Sequence, residues 1–251
     1  VITSMILYGQ FFTRVPIPIP IDKPQEKFNQ GIQYLTLFGL LLGAIEALCF
    51  YGLSFLFPTW LCWIFLLVID GMITGGFHLD ALADTADGLF SSRDKDKMYQ
   101  IMKDSRLGTM GALALIYYYV LMIGTTFYVS SHLSLWTNVF LAAITIMNTK
   151  TGVALVFLRI TNSQKEKGLL KSWGQIEPWR AIISQVVSII VIFLGVGYRG
   201  LIAYLAAALF VLVYKKWINH QLGGFTGDTL GAYASICQVV FLIVFAAVVK
   251  L

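Results

Sequence analysis

Apolar residues in this chain fall in long blocks and do not alternate with polar ones. Seven such blocks run from Gly31 to Phe57, Trp60 to about Phe77, Gly108 to Ser130, Leu135 to Leu158, Ala181 to Gly197, Leu201 to Trp217 and Leu230 to Val249. A helix needs about 20 apolar residues to cross about 30 Å of hydrocarbon, and in lipid only helices and closed barrels satisfy every backbone donor and acceptor internally. The pattern predicts an all-α fold, a polytopic transmembrane helical bundle of about seven spans. Ahead of it, an amphipathic stretch stops at Pro16, Pro18 and Pro20, where alternating prolines remove donors and hold the backbone extended. Residues 1–30 are read as an arm lying on the membrane and residues 31–251 as the bundle, a single membrane domain without a separate soluble module.

Composition agrees: 58% of the residues are hydrophobic and 12% charged, whereas a soluble domain carries about 25% charged residues. A net charge of +5 would suggest nucleic acid as a partner of a soluble protein, but here the placement of the cations matters more than their sum. With a cytoplasmic N-terminus, the arm and the loops 88–107, 159–180 and 215–229 share one face, which then holds fifteen of the eighteen basic residues. Arg199 and Lys250 lie outside it and Lys150 lies within a span. The expected location is therefore the cell membrane, with these loops in the cytoplasm, lipid as the surrounding partner and no nucleic acid. Cys49, Cys62 and Cys237 sit in apolar runs without metal-ligand spacing and read as packing residues. Residues Val1 to Phe12 lack the basic start and small-residue cleavage pattern of a signal peptide.

The conspicuous polar feature is Thr74-Gly-Gly-Phe-His-Leu-Asp-Ala-Leu-Ala-Asp-Thr-Ala-Asp-Gly88, which spaces Asp80, Asp84 and Asp87 at i, i+4 and i+7. At 100° per residue they fall within about 60° of one another on one helical stripe. A continuous helix from Trp60 to Leu89 would be about 45 Å long, about 15 Å more than the hydrocarbon, which puts the aspartates at the cytoplasmic boundary. Three stacked like charges repel, so a cation has to offset them. Mg²⁺ takes one or two protein carboxylates together with substrate phosphates, which suits this stripe; the bland alternative is a solvated acidic helix end.

Further polar groups flank the spans. Lys103, Asp104 and Arg106 precede the glycines from Gly108 that open the third span, and loop glycines at a helix N-terminus suit an anion. Gly223, Gly224 and Asp228 stand in a similar segment before the last span, with Asp228 either a ligand or the N-cap of that helix. Lys150, inside the fourth span, calls for a carboxylate or phosphate partner, with snorkelling as the alternative. Glu46 and Asp70 also lie within spans. On a continuous helix Asp70 projects about 40° from Asp84 and extends the stripe unless Gly75-Gly76 breaks the register. His78 points away from the stripe and reads as a packing or supporting residue.

The run from Thr74 to Gly111, with Phe12-Thr-Arg-Val-Pro16 before it and Gly227-Asp-Thr-Leu-Gly-Ala232 after it, resembles the cobalamin synthase family, the adenosylcobinamide-GDP ribazoletransferases, over nearly the whole chain. The resemblance implies a Mg²⁺-dependent membrane transferase that joins adenosylcobinamide-GDP to α-ribazole or its 5′-phosphate and releases GMP. It implies Asp80, Asp84, Asp87, Asp104 and Asp228 as metal ligands, with Asp80, Asp84, Asp87 and Lys150 in the chemistry. Arg14, Lys103, Arg106, Gly108, Gly223 and Gly224 would hold the substrate phosphates. The chain departs from the family pattern at Ala81, where glycine is common, at Lys150, where arginine is more usual, and at Ser235 and Gln238, where acidic residues often occur. That last departure leaves Asp228 as the ligand expected from the seventh span. Association into a homo-oligomer stays open.

Two other classes share some of these features. A CDP-alcohol phosphotransferase also lines a membrane helix with aspartates, but its Asp-Gly-x-x-Ala-Arg spacing is missing after Asp87-Gly88, where the chain reads Leu-Phe-Ser-Ser-Arg93. A cation transporter would also place acids inside spans. GMP release by detergent-purified protein without a gradient separates transfer from transport.

Overall fold

A computed structural model describes residues 1–158 and 176–250, so most of the expected basic loop 159–180, Lys167 included, lies outside the described residues. The elements are all helical: α1 (Ile2–Phe12), α2 (Pro24–Gln30), a 3₁₀ turn (Ile32–Tyr34), α3 (Leu35–Leu53), α4 (Thr59–Thr74), α5 (Phe77–Ser91), α6 (Lys95–Met102), α7 (Thr109–His132), α8 (Leu135–Phe157), α9 (Pro178–Leu222) and α10 (Gly227–Lys250). Five stretches among them are long and apolar enough to cross a membrane, or six if α4 and α5 count as one broken span.

The expectation of one continuous helix from Trp60 to Leu89 is overturned: α4 and α5 meet at 89°. Gly75 and Gly76 both take positive φ, at 66° and 69°, a conformation that costs other residues about 1–2 kcal/mol. The extra length is thus spent in turning. One consequence is that Asp70, on α4, does not continue the row of aspartates on α5.

The two spans expected at 181–197 and 201–217 form a single named helix, α9, with a non-helical residue at Gly197 (φ 68°, ψ −158°). Tyr204 Oη nevertheless donates to Gln185 Oε1 at 2.9 Å. Nineteen residues of straight helix would separate them by about 28 Å at 1.5 Å per residue, so the chain doubles back at Gly197 into two limbs, 178–196 and 198–222.

Span α8 is the centre of the bundle, buried from Leu141 almost without interruption to Phe157. It packs most closely on α3, where Gly39 and Gly43 form a small-x-x-x-small stripe. A Cβ on Gly43 would collide with the carbonyl oxygen of Ala143, so the two backbones touch there. The arm is stitched to this bundle: Tyr8, Phe12 and Phe28 are buried in one apolar cluster with Val153, Tyr214 and Tyr233. Backbone Arg14 N–H donates to Ile73 O at 2.7 Å, which ties the arm to the last turn of α4. Helix α6, within what the sequence suggested was a loop, is capped by Asp94 accepting from Lys97 N–H at 2.8 Å.

Candidate active site

Helix α5 carries the acidic row between the N-termini of α7 and α10, at the mouth of the bundle and turned out of the span direction. Asp80 is exposed, Asp84 half-buried and Asp87 buried. The three are therefore not equivalent, although one stripe carries them.

Asp87 is already engaged. One carboxylate oxygen accepts from Gly108 N–H at 2.7 Å and the other from Gly111 N–H at 2.8 Å. Those amides belong to the first turn of α7, where helical N–H groups lack intrahelical partners and the dipole favours an anion. A Cβ on either glycine would run into the Asp87 carboxyl. The anion that these glycines admit is thus a side chain of the protein. The two N–H bonds use part of the carboxylate, which has about four lone-pair positions.

Asp84 sits among the acids. Burial first, and then the charges of Asp80, Asp228 and Asp87, push its carboxyl up to about 7. Asp228 comes from the first turn of α10. It is not the cap of that helix: Thr226 and Thr229 cap reciprocally, with Thr226 N–H donating to Thr229 Oγ1 at 2.8 Å and Thr229 N–H to Thr226 Oγ1 at 3.1 Å. That pair was readable as a Thr-x-x-Thr form of the capping box ahead of an apolar run.

Among the described residues no three His, Cys, Asp or Glu side chains close into a metal cage. The acids form an open arc of hard carboxylate oxygens with like charges close together. Mg²⁺ fits that donor set, because it keeps several waters and takes few protein carboxylates.

The other expected residues are more dispersed. Asp104 is clasped by Arg106, Nη2 to Oδ2 at 2.6 Å and Nε to Oδ1 at 3.0 Å, on the solvent side of the turn before α7. Hydrogen bonding to Arg106 holds the Asp104 carboxyl below its ordinary range. Lys103 is exposed at the end of α6. The Arg14 side chain lies against Gly75 at the α4–α5 turn. Gly223 ends α9 in the left-handed conformation, φ 78°, beside Lys95 Nζ, and Gly224 is buried.

Lys150 is 1% exposed, so it does not snorkel to either surface. Its Nζ lies 2.9 Å from His78 Nε2 and 4.7 Å from the centre of the Phe12 ring. Ser235 donates to His78 O at 3.3 Å, while Gln238 accepts from Tyr118 at 2.8 Å and donates to Thr145 O at 3.1 Å. Those two residues of α10 therefore bind helices together. The Lys150–His78 contact gave no sequence signal, since it joins residues 72 apart.

These features define a polytopic helical membrane protein with a carboxylate row at one mouth of its bundle. Residues 4–246 match the CobS, cobalamin-5-phosphate synthase, family, and the chain belongs to it. It is 37% identical over 241 residues to the adenosylcobinamide-GDP ribazoletransferase of Clostridium novyi (strain NT), covering 96% of this chain and 95% of that one. The Listeria welshimeri protein of the same name is 37% identical over 239 residues, 95% of each chain. That of Thermoanaerobacter pseudethanolicus is 35% identical over 253 residues, 98% of each. No solved structure matches the chain.

Proposed function

We infer that the chain is an adenosylcobinamide-GDP ribazoletransferase. It transfers the adenosylcobinamide-phosphate part of adenosylcobinamide-GDP to α-ribazole or α-ribazole 5′-phosphate and releases GMP, late in cobalamin assembly. The observation that carries the site assignment is the convergence of Asp80, Asp84 and Asp228 at the mouth of the bundle in a chain of this family.

In this reading Asp80, Asp84 and Asp228 hold Mg²⁺, with Asp87 fixing the α7 N-terminus beside them and offering its remaining lone pairs. When bound, the metal neutralises charge on the diphosphate oxygens and on the departing GMP. A carboxylate of the row orients the attacking ribose hydroxyl or takes its proton. Lys103 and Arg106, exposed beside the row, attract the anionic substrate, and Arg106 exchanges Asp104 for a phosphate. Lys95 at Gly223 and Arg14 at Gly75 complete a cationic rim. Since basic loops stay inside, the rim and the site face the cytoplasm, where soluble nucleotides arrive.

Detergent-purified protein given adenosylcobinamide-GDP, α-ribazole and Mg²⁺ should release GMP without any transmembrane gradient. Asp80→Asn and Asp84→Asn should each lose most of that release, with partial recovery at high Mg²⁺. Near-normal turnover of both variants at limiting Mg²⁺ removes the row from the mechanism, and no GMP from the wild type removes the reaction.

A further inference from the structure

Helix α5 lies along α10 in a fixed register. Ser235 Oγ donates to His78 O at 3.3 Å. Three residues further along α5 and four back along α10, a Cβ on Gly231 would come within 2.6 Å of the Ala81 Cβ. Another three residues along each helix, the charge of Asp228 reaches Asp84. The helices thus run in opposite directions past three successive contacts, and the two acids that different helices supply stand one step beyond the tightest of them.

That contact leaves no room. Carbon atoms pack at about 3.5–4.0 Å, so a methyl on Gly231 requires the helices to part by about 1 Å. Ala81 is buried, and its methyl is fixed to the backbone without a torsion through which to turn aside. Helix α5 does not move away freely, because Asp87 ties it to the Gly108 and Gly111 amides of α7. A widening at Ala81 and Gly231 is therefore passed on to Asp84 and Asp228. Mg²⁺ tolerates this poorly, since it demands near-ideal octahedral bonds of about 2.0–2.1 Å.

We propose that Ala81, Gly231 and Ser235 are positioning residues for the acidic row: their close contact between α5 and α10 sets the separation of Asp84 from Asp228 and so how well the row holds a divalent cation. This rests on the reading that the row binds such an ion. Groups that orient metal ligands from behind typically contribute about 10–100-fold to metal affinity or activity.

The test moves one methyl across the contact. Its readout is the half-saturating concentration of Mn²⁺, measured by direct binding to detergent-purified protein and again through GMP release. Gly231→Ala should raise it about tenfold, and the Gly231→Ala/Ala81→Gly pair should return it to within about twofold of wild type. Gly43→Ala, which overpacks α3 against α8 instead, should lower the unfolding midpoint and leave Mn²⁺ binding unmoved. Unchanged Mn²⁺ binding in Gly231→Ala, or a pair no better than Gly231→Ala alone, overturns the proposal. So does a shift in Gly43→Ala as large as that in Gly231→Ala. Should Gly231→Ala fail to fold, Ser235→Ala, which only loosens the neighbouring contact, decides: a rise of about threefold supports the role and no change overturns it. Asp84→Asn separates the two levels: if it leaves Mn²⁺ binding unchanged, the metal reading of the row fails, whereas a shift there without one in Gly231→Ala sinks the positioning role only.

Discussion

Asp87 accepts the backbone N–H of Gly108 at 2.7 Å across 21 residues of chain, so a side chain of the acidic row is also what starts the next span. Asparagine at 87 would present one oxygen where two amides now need acceptors, and would lose the charge that the α7 dipole favours. Asp87→Asn should therefore destabilise the protein by about 1–2 kcal/mol. Thermal unfolding in detergent reads this as a lower midpoint, and an unchanged midpoint contradicts it.

Asp84 should respond in the opposite direction. Its carboxyl is pushed up to about 7 in the fold, against about 3.9 in an unfolded chain. An acid raised in this way lets the fold keep its full stability below about pH 4 and lose it progressively as the pH rises through about 7. In chelator the unfolding temperature should fall over that window, and Asp84→Asn should flatten the fall and unfold higher at pH 7. Identical pH profiles for the two proteins would exclude the burial and crowding of the Asp84 charge as its source.

The α3–α8 contact sets a third expectation. A methyl at position 43 meets the carbonyl oxygen of Ala143, part of a helix backbone that cannot turn aside. Gly43→Ala should cost about 1–3 kcal/mol by overpacking. Gly52→Ala, on the same helix with nothing within 4 Å, is the matched control and should leave the unfolding midpoint unmoved.

Topology gives a fourth. Tyr99 Oη donates to Leu222 O at 3.1 Å, tying α6 to the end of α9, so Lys97 and Lys216 share a face. His132 ends α7 at the opposite pole from Gly108. Cysteines introduced at 97 and 216 in sealed vesicles should react with an impermeant thiol reagent added to the same side, and one at 132 only from the other.

The spans were legible because lipid demands long apolar blocks, and length alone identifies them. The doubling back at Gly197 was legible too, as a short gap between two such blocks. The right angle after Thr74 was less so: the glycine pair was visible, but apolar periodicity continues across it and cannot report a change of direction. Within the site, the i, i+4, i+7 spacing placed three aspartates on one stripe and could not say which of them faces another helix. The partners of Asp87, 21 and 24 residues away, and of Lys150, 72 away, depend on how spans pack. The pairing of Asp104 with Arg106 was readable from two neighbouring opposite charges, yet the sequence suggested separate roles for them.

The 89° turn between α4 and α5 also changes what the bilayer can do to the site. A row continuing along a span would put each aspartate at a different depth, and any stretch or thinning of the lipid would move them through different dielectric surroundings. Laid across the span direction, the seven residue steps from Asp80 to Asp87 occupy about 10 Å of lateral distance at nearly one depth. Spans accommodate lipid thickness mainly by tilting, which raises or lowers such a row as a unit and leaves its internal spacing alone. The acidic row is in this sense insulated from the membrane that carries it.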